Sequence, residues 1–389
     1  MRRGGATQST DMSFDRTFGS LAARAEGRPS AVARLSFGVY AALIVYASLA
    51  PWAGWRDLGI GLFSWLDAPW PEYVTRFDFA VNVLGYLPFG ALAVLALYPR
   101  WRNARAIAIA IAAGLLLSGA IESLQTLLPQ RIASQVDLLA NACGTAVGAA
   151  MAAWFAEALL ERGRLAQLRD RWFAPDVSAA LVLIALWPLA QIHPASMLFG
   201  LGPADGWLLD SIHELGWPHL PGRGTWTPTD FVLAEAVATT AGVLAPGLVA
   251  AAVMLPPAPR IRLLLVLVAA ALGIKTVAYG LRFGPELSLA WLTPGAVAGL
   301  SVGLLTLVVA STGSSRPLAR LALLASAGLF VAVGVVPDNP YFAHWLVQWR
   351  TGKLAHFNAV GDWIALAWPF ALVLWLLVFE AAGWRERRK

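Results

Sequence analysis

Ten predominantly apolar stretches recur along the chain, most of them about 20 residues long, and each is read as an α-helix crossing a hydrocarbon layer of roughly 30 Å. They run 33–53, 78–98, 104–121, 137–157, 177–192, 231–255, 261–281, 288–311, 317–336 and 358–382. In lipid every backbone amide must find its partner within the segment, so the expected fold is all-α, a polytopic transmembrane helix bundle. Composition agrees: 58% hydrophobic and 13% charged residues exclude a soluble globular class. The fifth and third stretches are the shortest, and the alternative to ten spans is nine, or a re-entrant segment.

The first 30 residues are polar and Arg-bearing, a soluble tail rather than a cleaved leader, because Trp52 and Trp55 close the first span where a small-residue exit site would be needed. Positive charge sets the orientation. With the amino terminus inside, 21 of the 29 Lys and Arg fall on the inner side, so both termini are expected to be cytoplasmic. The same bias explains the basic isoelectric point of about 9.8 and removes any reason to invoke nucleic acid.

On this topology the unusual polar residues of the first four spans gather on one side. Asp78 and Asn82 begin the second span, Glu122 and Gln125 end the third, and Asp137 and Asn141 begin the fourth, with Arg131 in the short connection before it. Each carboxylate and its carboxamide are spaced i,i+4 or i,i+3 and share a helix face. Ionisable groups at membrane depth turn toward a bundle interior or an aqueous cavity, so these pairs are expected to line one outward-open pocket. The alternative is an internal hydrogen-bond network that holds the bundle together.

The order D-x-x-x-N, "PFG", E-x-x-Q, Arg and D-x-x-x-N-x-x-G resembles the VanZ-like family of membrane proteins linked to teicoplanin resistance. The resemblance covers about 78–148. The family positions are Asp78, Asn82, Pro88, Gly90, Glu122, Gln125, Arg131, Asp137, Asn141 and Gly144. It implies a multi-pass protein of the bacterial cytoplasmic membrane and a role in the cell envelope, without supplying a mechanism.

A second copy is visible when the sequence is slid against itself. Asp78-Phe79 aligns with Asp230-Phe231 and Gly90 with Gly242 at an offset of 152; the stretch from Arg131 aligns with that from Arg282 at 151. We read an internal repeat in which spans five to eight copy spans one to four. Five domains are expected: a tail over 1–31, a VanZ-like four-helix domain over 32–162, a basic linker over 163–175, a degenerate second four-helix unit over 176–312 and a terminal hairpin over 313–389. Asn82, Glu122, Gln125, Asp137 and Asn141 become Ala234, Gly273, Thr276, Ser288 and Leu292, so the second copy is expected to have lost the chemistry. What both copies keep, Asp78 with Arg131 and Asp230 with Arg282, reads as a pair of structural ion-pair clamps. The stretch from Phe357, with Asn358 and Asp362, resembles that from Phe77 and is either the start of a third unit or a helix start carrying an acid.

Asp78, Glu122 and Asp137 against Arg131 leave a formal excess of two negative charges, to be balanced by protons, a divalent cation or a cationic ligand group. Glu122, near a helix carboxyl terminus, is the expected proton carrier; a divalent cation, if that is the balance, would be held through Asp78 or Asp137, near amino termini, and the amide oxygens, although two carboxylates alone are a thin site for it.

The remaining candidates have plainer readings. Cys143 is the only cysteine, a small packing residue. His193, His213, His219, His344 and His356 lack zinc-binding spacing and are read as surface or loop-packing residues. "GTAVG" at 144–148 and "GAVAG" at 295–299 are read as helix-packing sites, self-association into a homo-oligomer being the alternative. Most Trp residues are read as interfacial anchors, while Trp207, Trp217 and Trp226 are candidates for stacking on sugar or lipid.

Three functions compete. The pocket binds a lipid-linked cell-wall intermediate, a membrane-lipid headgroup or a glycopeptide-like ligand, with resistance implied by the family resemblance. Alternatively the chain is an enzyme on a polyprenyl or phospholipid phosphate, with Glu122 and Asp137 as catalytic candidates and Arg131 on phosphate. The third reading is a transporter, favoured by the repeat and disfavoured by the confinement of polar groups to one side.

Overall fold

The computed structural model describes residues 29–50, 52–70, 75–201, 211, 214–215, 226–337, 339, 341–342, 347 and 355–386. The amino-terminal tail over 1–28, His213, His219, His344, Trp207 and Trp217 lie outside the described residues. The described chain is all-helical and divides into two units, 1–170 and 171–389.

Unit 1 holds α1 (Ala31–Leu49), α2 (Arg76–Leu97), α3 (Asn103–Gln125) and α4 (Gln135–Glu157). A π-turn over Ala158–Arg162 follows, and then a short polar helix, α5 (Arg164–Trp172), whose last two residues belong to unit 2. Side-chain oxygens start three of the membrane helices. Ser30, Thr75 and Ser134 accept from the backbone N–H of Ala33, Asp78 and Val136, relieving amides that have no partner within the helix.

The tightest contact in the unit is between α2 and α4. A methyl group on Gly144 would run into the Val83 carbonyl, one on Gly148 into the Leu87 carbonyl, and one on Gly90 into the backbone of Thr145. Glycine at these three positions lets the two backbones touch, the arrangement favoured between helices in lipid, where dispersion has to replace the hydrophobic effect. Around the contact lie two apolar clusters, one of Ile44, Tyr86, Phe89 and Ile121, the other of small residues including Ala93, Ala106, Ala110 and Ala149.

Unit 2 holds α6 (Ser178–Ala190), α7 (Pro228–Val253), α8 (Arg260–Phe283), α9 (Pro294–Ala310), α10 (Ser315–Val335) and α11 (Ala355–Glu386). Helix α7 is its axis, packed on both α9 and α10, with 78% of its apolar window buried. Small residues on every face, as in "AGVLAPGLVAAAV" over 241–253, suit a helix surrounded by others. Gly295 and Gly299 of α9 approach the Val232 and Ala236 carbonyls of α7, where a Cβ would stand only 2.7 and 2.5 Å away.

Eight described helices are long and apolar enough to span a membrane, and the chain is a multi-pass membrane protein. Two of the ten expected stretches form shorter apolar helices. The fifth stretch forms only Ser178–Ala190, and the eighth begins at Pro294 rather than 288, leaving a 17-residue helix. Pro294 is suited to the first helical position, which needs no N–H donor, and Thr293 caps it.

Replacing Gly148 by leucine is expected to lower the thermal unfolding midpoint in detergent, by the equivalent of at least ~1–3 kcal/mol. Gly38→Leu, where the added side chain meets nothing within 4 Å of its Cβ, is expected to leave the midpoint unchanged; circular dichroism melts of the two variants test the contrast.

Candidate functional site

The α2–α4 contact brings one end of each helix together, and the polar residues meet there. Asn82 Nδ2 donates to Asp137 Oδ1 at 2.8 Å across the seam. One helix over, Asn141 Nδ2 donates to Ser118 Oγ of α3 at 2.9 Å, and the Asn141 Oδ1 is buried without a partner among the described residues. Glu122 is 3% exposed, and its Oε2 accepts the Ser134 N–H at 2.8 Å. Asp137 and Arg131 are the charged neighbours of Glu122, and Asp78 is a charged neighbour of Asp137. The three carboxylates therefore form one electrostatic neighbourhood.

Their surroundings differ from the sequence expectation in an instructive way. Glu122 stands near the carboxyl end of its own helix, but Ser134 is the N-cap of α4, so the carboxylate is placed against the amino terminus of the next helix. There the helix dipole favours negative charge, so the helix end that bears on Glu122 is the amino terminus of α4 rather than the carboxyl terminus of α3.

The expected Asp78–Arg131 clamp is not formed. Asp78 is exposed and accepts from the Thr75 hydroxyl at 2.5 Å, a helix-capping contact. Asp230 does the same in unit 2, in a capping box with Thr227, so the Asp230–Arg282 clamp is not formed either. The shared Asp starts a helix in each case.

Arg131 is spent on α1. Its Nη2 donates to the carbonyls of Ala47 and Ala50, both at 3.0 Å, and Gln125 Nε2 donates to the Ser48 carbonyl at 2.9 Å. These are the carbonyls that a helix end leaves without intrahelical donors, and a cation is favoured beside them. Burial pushes the Arg131 guanidinium below the usual arginine range, with the charge of Glu122 opposing. The family positions thus fall into a frame of Asp78, Gln125 and Arg131 and an inner cluster of Asn82, Glu122, Asp137 and Asn141. Gly90 and Gly144 make the seam that holds them, and Pro88 lies within α2.

The inner cluster does not present an assembled site for a divalent cation, one of the three balances that the charge count left open. Asp137 already faces an amide N–H donor and Glu122 a backbone N–H, groups that a metal ion would repel, and Asn82 turns its nitrogen rather than its oxygen to the carboxylate. Among the described residues no three His, Cys, Asp or Glu come together in a metal-holding group. Arg131, committed to α1, is not placed as the phosphate ligand that the enzyme reading needs.

Unit 2 is not devoid of polar chemistry, contrary to the expectation for a degenerate copy. Glu235 is 3% exposed, and its Oε2 accepts from Thr293, the N-cap of α9, at 2.5 Å. Lys275 is buried, donates to the His193 carbonyl at 3.2 Å and has Glu235 as its charged neighbour. His193, in the turn after α6, is a loop-packing residue, one of the two sequence readings: it is 3% exposed, and its Nδ1 shares a 2.5 Å hydrogen bond with Asp362 of α11. The signal for Glu235 and Lys275 was present: each is a lone charge inside an apolar stretch. Cys143, expected to pack, is instead exposed on α4.

Two outcomes follow. A double-mutant cycle of Asn82→Ala and Asp137→Ala, followed by unfolding in mixed micelles, is expected to give a coupling of ~1.5–3 kcal/mol, the range for a hydrogen bond to a charged group. In unit 2, Lys275→Met is expected to destabilise more than the double variant Glu235→Gln/Lys275→Met, because the single change leaves a buried carboxylate without its countercharge.

The segment 32–156 matches the family model described as VanZ/LLP1. No curated protein matches the chain, and no solved structure does. The match takes in α1 to α4 and with them every member of the frame and the inner cluster, so this multi-pass membrane protein carries a VanZ-like domain in its first unit.

Proposed function

We propose that the polar end of unit 1 binds the headgroup of a lipid-linked cell-wall intermediate, or a glycopeptide-like ligand, at the outer face of the bacterial cytoplasmic membrane, and thereby contributes to teicoplanin-type resistance. One observation carries the reading: Glu122, Asp137, Asn82 and Asn141, from three helices, meet at one end of the unit, with acid oxygens and an unspent amide oxygen in the same small region. Such a set accepts hydrogen bonds. It suits ligands rich in N–H and O–H donors, such as the amides and hydroxyls of muropeptides and amino sugars. The inside-heavy distribution of Lys and Arg supports placing this end outside and both termini in the cytoplasm.

The same reading includes descent of the second unit from a copy of the first. Support comes from each unit taken by itself: a Thr-x-x-Asp cap opens α2 at Thr75 and α7 at Thr227, and glycines at 144 and 148, and at 295 and 299, bring the fourth helix onto the second.

The test is complementation of a deletion strain in an envelope-permeable background, scored by teicoplanin susceptibility and by surface binding of labelled antibiotic. Wild-type protein is expected to restore both; Glu122→Gln and Asp137→Asn, expressed at equal levels in the membrane, are expected to lose roughly ten-fold in ligand affinity, about 1.4 kcal/mol. Equal performance of all three proteins would remove the reading.

A further inference from the structure

We infer that the connection between α1 and α2, residues 52–70, is an interfacial segment that beds into the lipid headgroup layer and roofs the polar end of unit 1 at that depth. The segment leaves α1 at Leu49 and delivers the chain to α2 at Arg76, both membrane-spanning helices, so it lies at the bilayer boundary. Its side chains are not those of a water-facing loop. Trp52, Trp55, Ile60, Phe63, Leu66 and Trp70 are 38–65% exposed, while Arg56, Asp57 and Asp67 are its only charges. Indole and aliphatic groups presented together outside the bundle match the headgroup region, where an apolar body and a polar N–H are both accommodated.

The segment is fixed in place rather than loosely draped. Trp65 alone among its tryptophans turns inward, 5% exposed, with its Nε1 donating to Ser123 Oγ at 3.2 Å. Gln135 Nε2 reaches the carbonyls of Trp65, Leu66 and Ala68 at 3.2, 2.6 and 2.9 Å, and the Arg56 N–H donates to the Leu127 carbonyl at 3.0 Å. Trp52 is held at φ 62°, a left-handed conformation costly for a large side chain. Its Nε1 bonds the Tyr46 carbonyl at 3.1 Å and its ring stacks on Tyr46. Ser123 and Gln135 adjoin Glu122 and Asp137, so these tethers tie the depth of the segment to the depth of the cluster.

The occupant of this surface is lipid rather than a second protein. The exposed apolar groups do not form a stripe on a regular element, since the segment's only regular turn is Ser64–Leu66. They are scattered along an irregular strap, which a fluid phase can envelop and a rigid partner would have to match point by point. The inference stands independently of the ligand proposed above, because it concerns what the roof touches and not what the cluster binds.

Site-directed fluorescence in proteoliposomes tests it. In a Cys143→Ala background, Phe63→Cys and Trp70→Cys carry an environment-sensitive fluorophore, with Asp57→Cys as the water-side comparison and Ile60→Cys as a further position if one variant fails to reconstitute. In phosphatidylcholine–phosphatidylglycerol vesicles, lipid spin-labelled near the ester end of the chain is expected to quench positions 63 and 70 at least about two-fold more than position 57, with aqueous iodide giving the reverse order. Iodide quenching at 63 and 70 without an effect of the labelled lipid would overturn the inference. Protection from both quenchers together with disulfide-linked dimers of the Phe63→Cys variant would also overturn it, by showing a second copy on this face.

Discussion

Backbone contact between α2 and α4 is the constraint on which unit 1 depends. Side chains normally hold two helices 8–10 Å apart, and small residues, glycine most of all, allow a closer approach. With Gly144 and Gly148 against the Val83 and Leu87 carbonyls, Asn82 comes within direct reach of Asp137, and no longer side chain is needed to bridge the gap. The seam sets the distance between two polar side chains, and a methyl group at Gly144 would press on the Val83 carbonyl beside Asn82.

A second device recurs in both units. A buried carboxylate is set against the cap of the helix that bears the glycines: Glu122 on Ser134 of α4, and Glu235 on Thr293 of α9. The carboxylates come from different helices, α3 in the first case and α7 in the second. Helix amino termini present unsatisfied amides and a positive dipole end, so a nearby acid is a recurrent solution where water is scarce. In unit 2 Lys275 is a further partner for the charge, and the His193–Asp362 contact ties α11 to the turn after α6.

Much of the architecture was legible in the amino-acid order, because length and apolarity dictate helices in lipid and because the family pattern marks α2 to α4. That Asn82 and Asp137, near the starts of α2 and α4, lie at the same end of the unit was readable from the topology. The clamp reading of Asp78 with Arg131 went astray because opposite charges in sequence carry no distance. Thr75 is three residues from Asp78, and a local cap outcompetes a remote ion pair. The polarity of Glu122's surroundings was hidden for a related reason, since the helix end that matters belongs to the following helix. Pro294 could have shortened the eighth span from sequence, had its preference for a first helical position been weighed against hydropathy.

The commitment of Arg131 and Gln125 to the carbonyls of Ser48, Ala47 and Ala50 bears on how genetics of this domain should be interpreted. A cation and an amide that look like ligand contacts in the linear motif are instead the fastening of the first helix to its neighbours. Loss-of-phenotype alleles at these two codons report the seating of that helix. Alleles at Asn82, Asp137 and Asn141 report instead on the polar cluster between α2, α3 and α4.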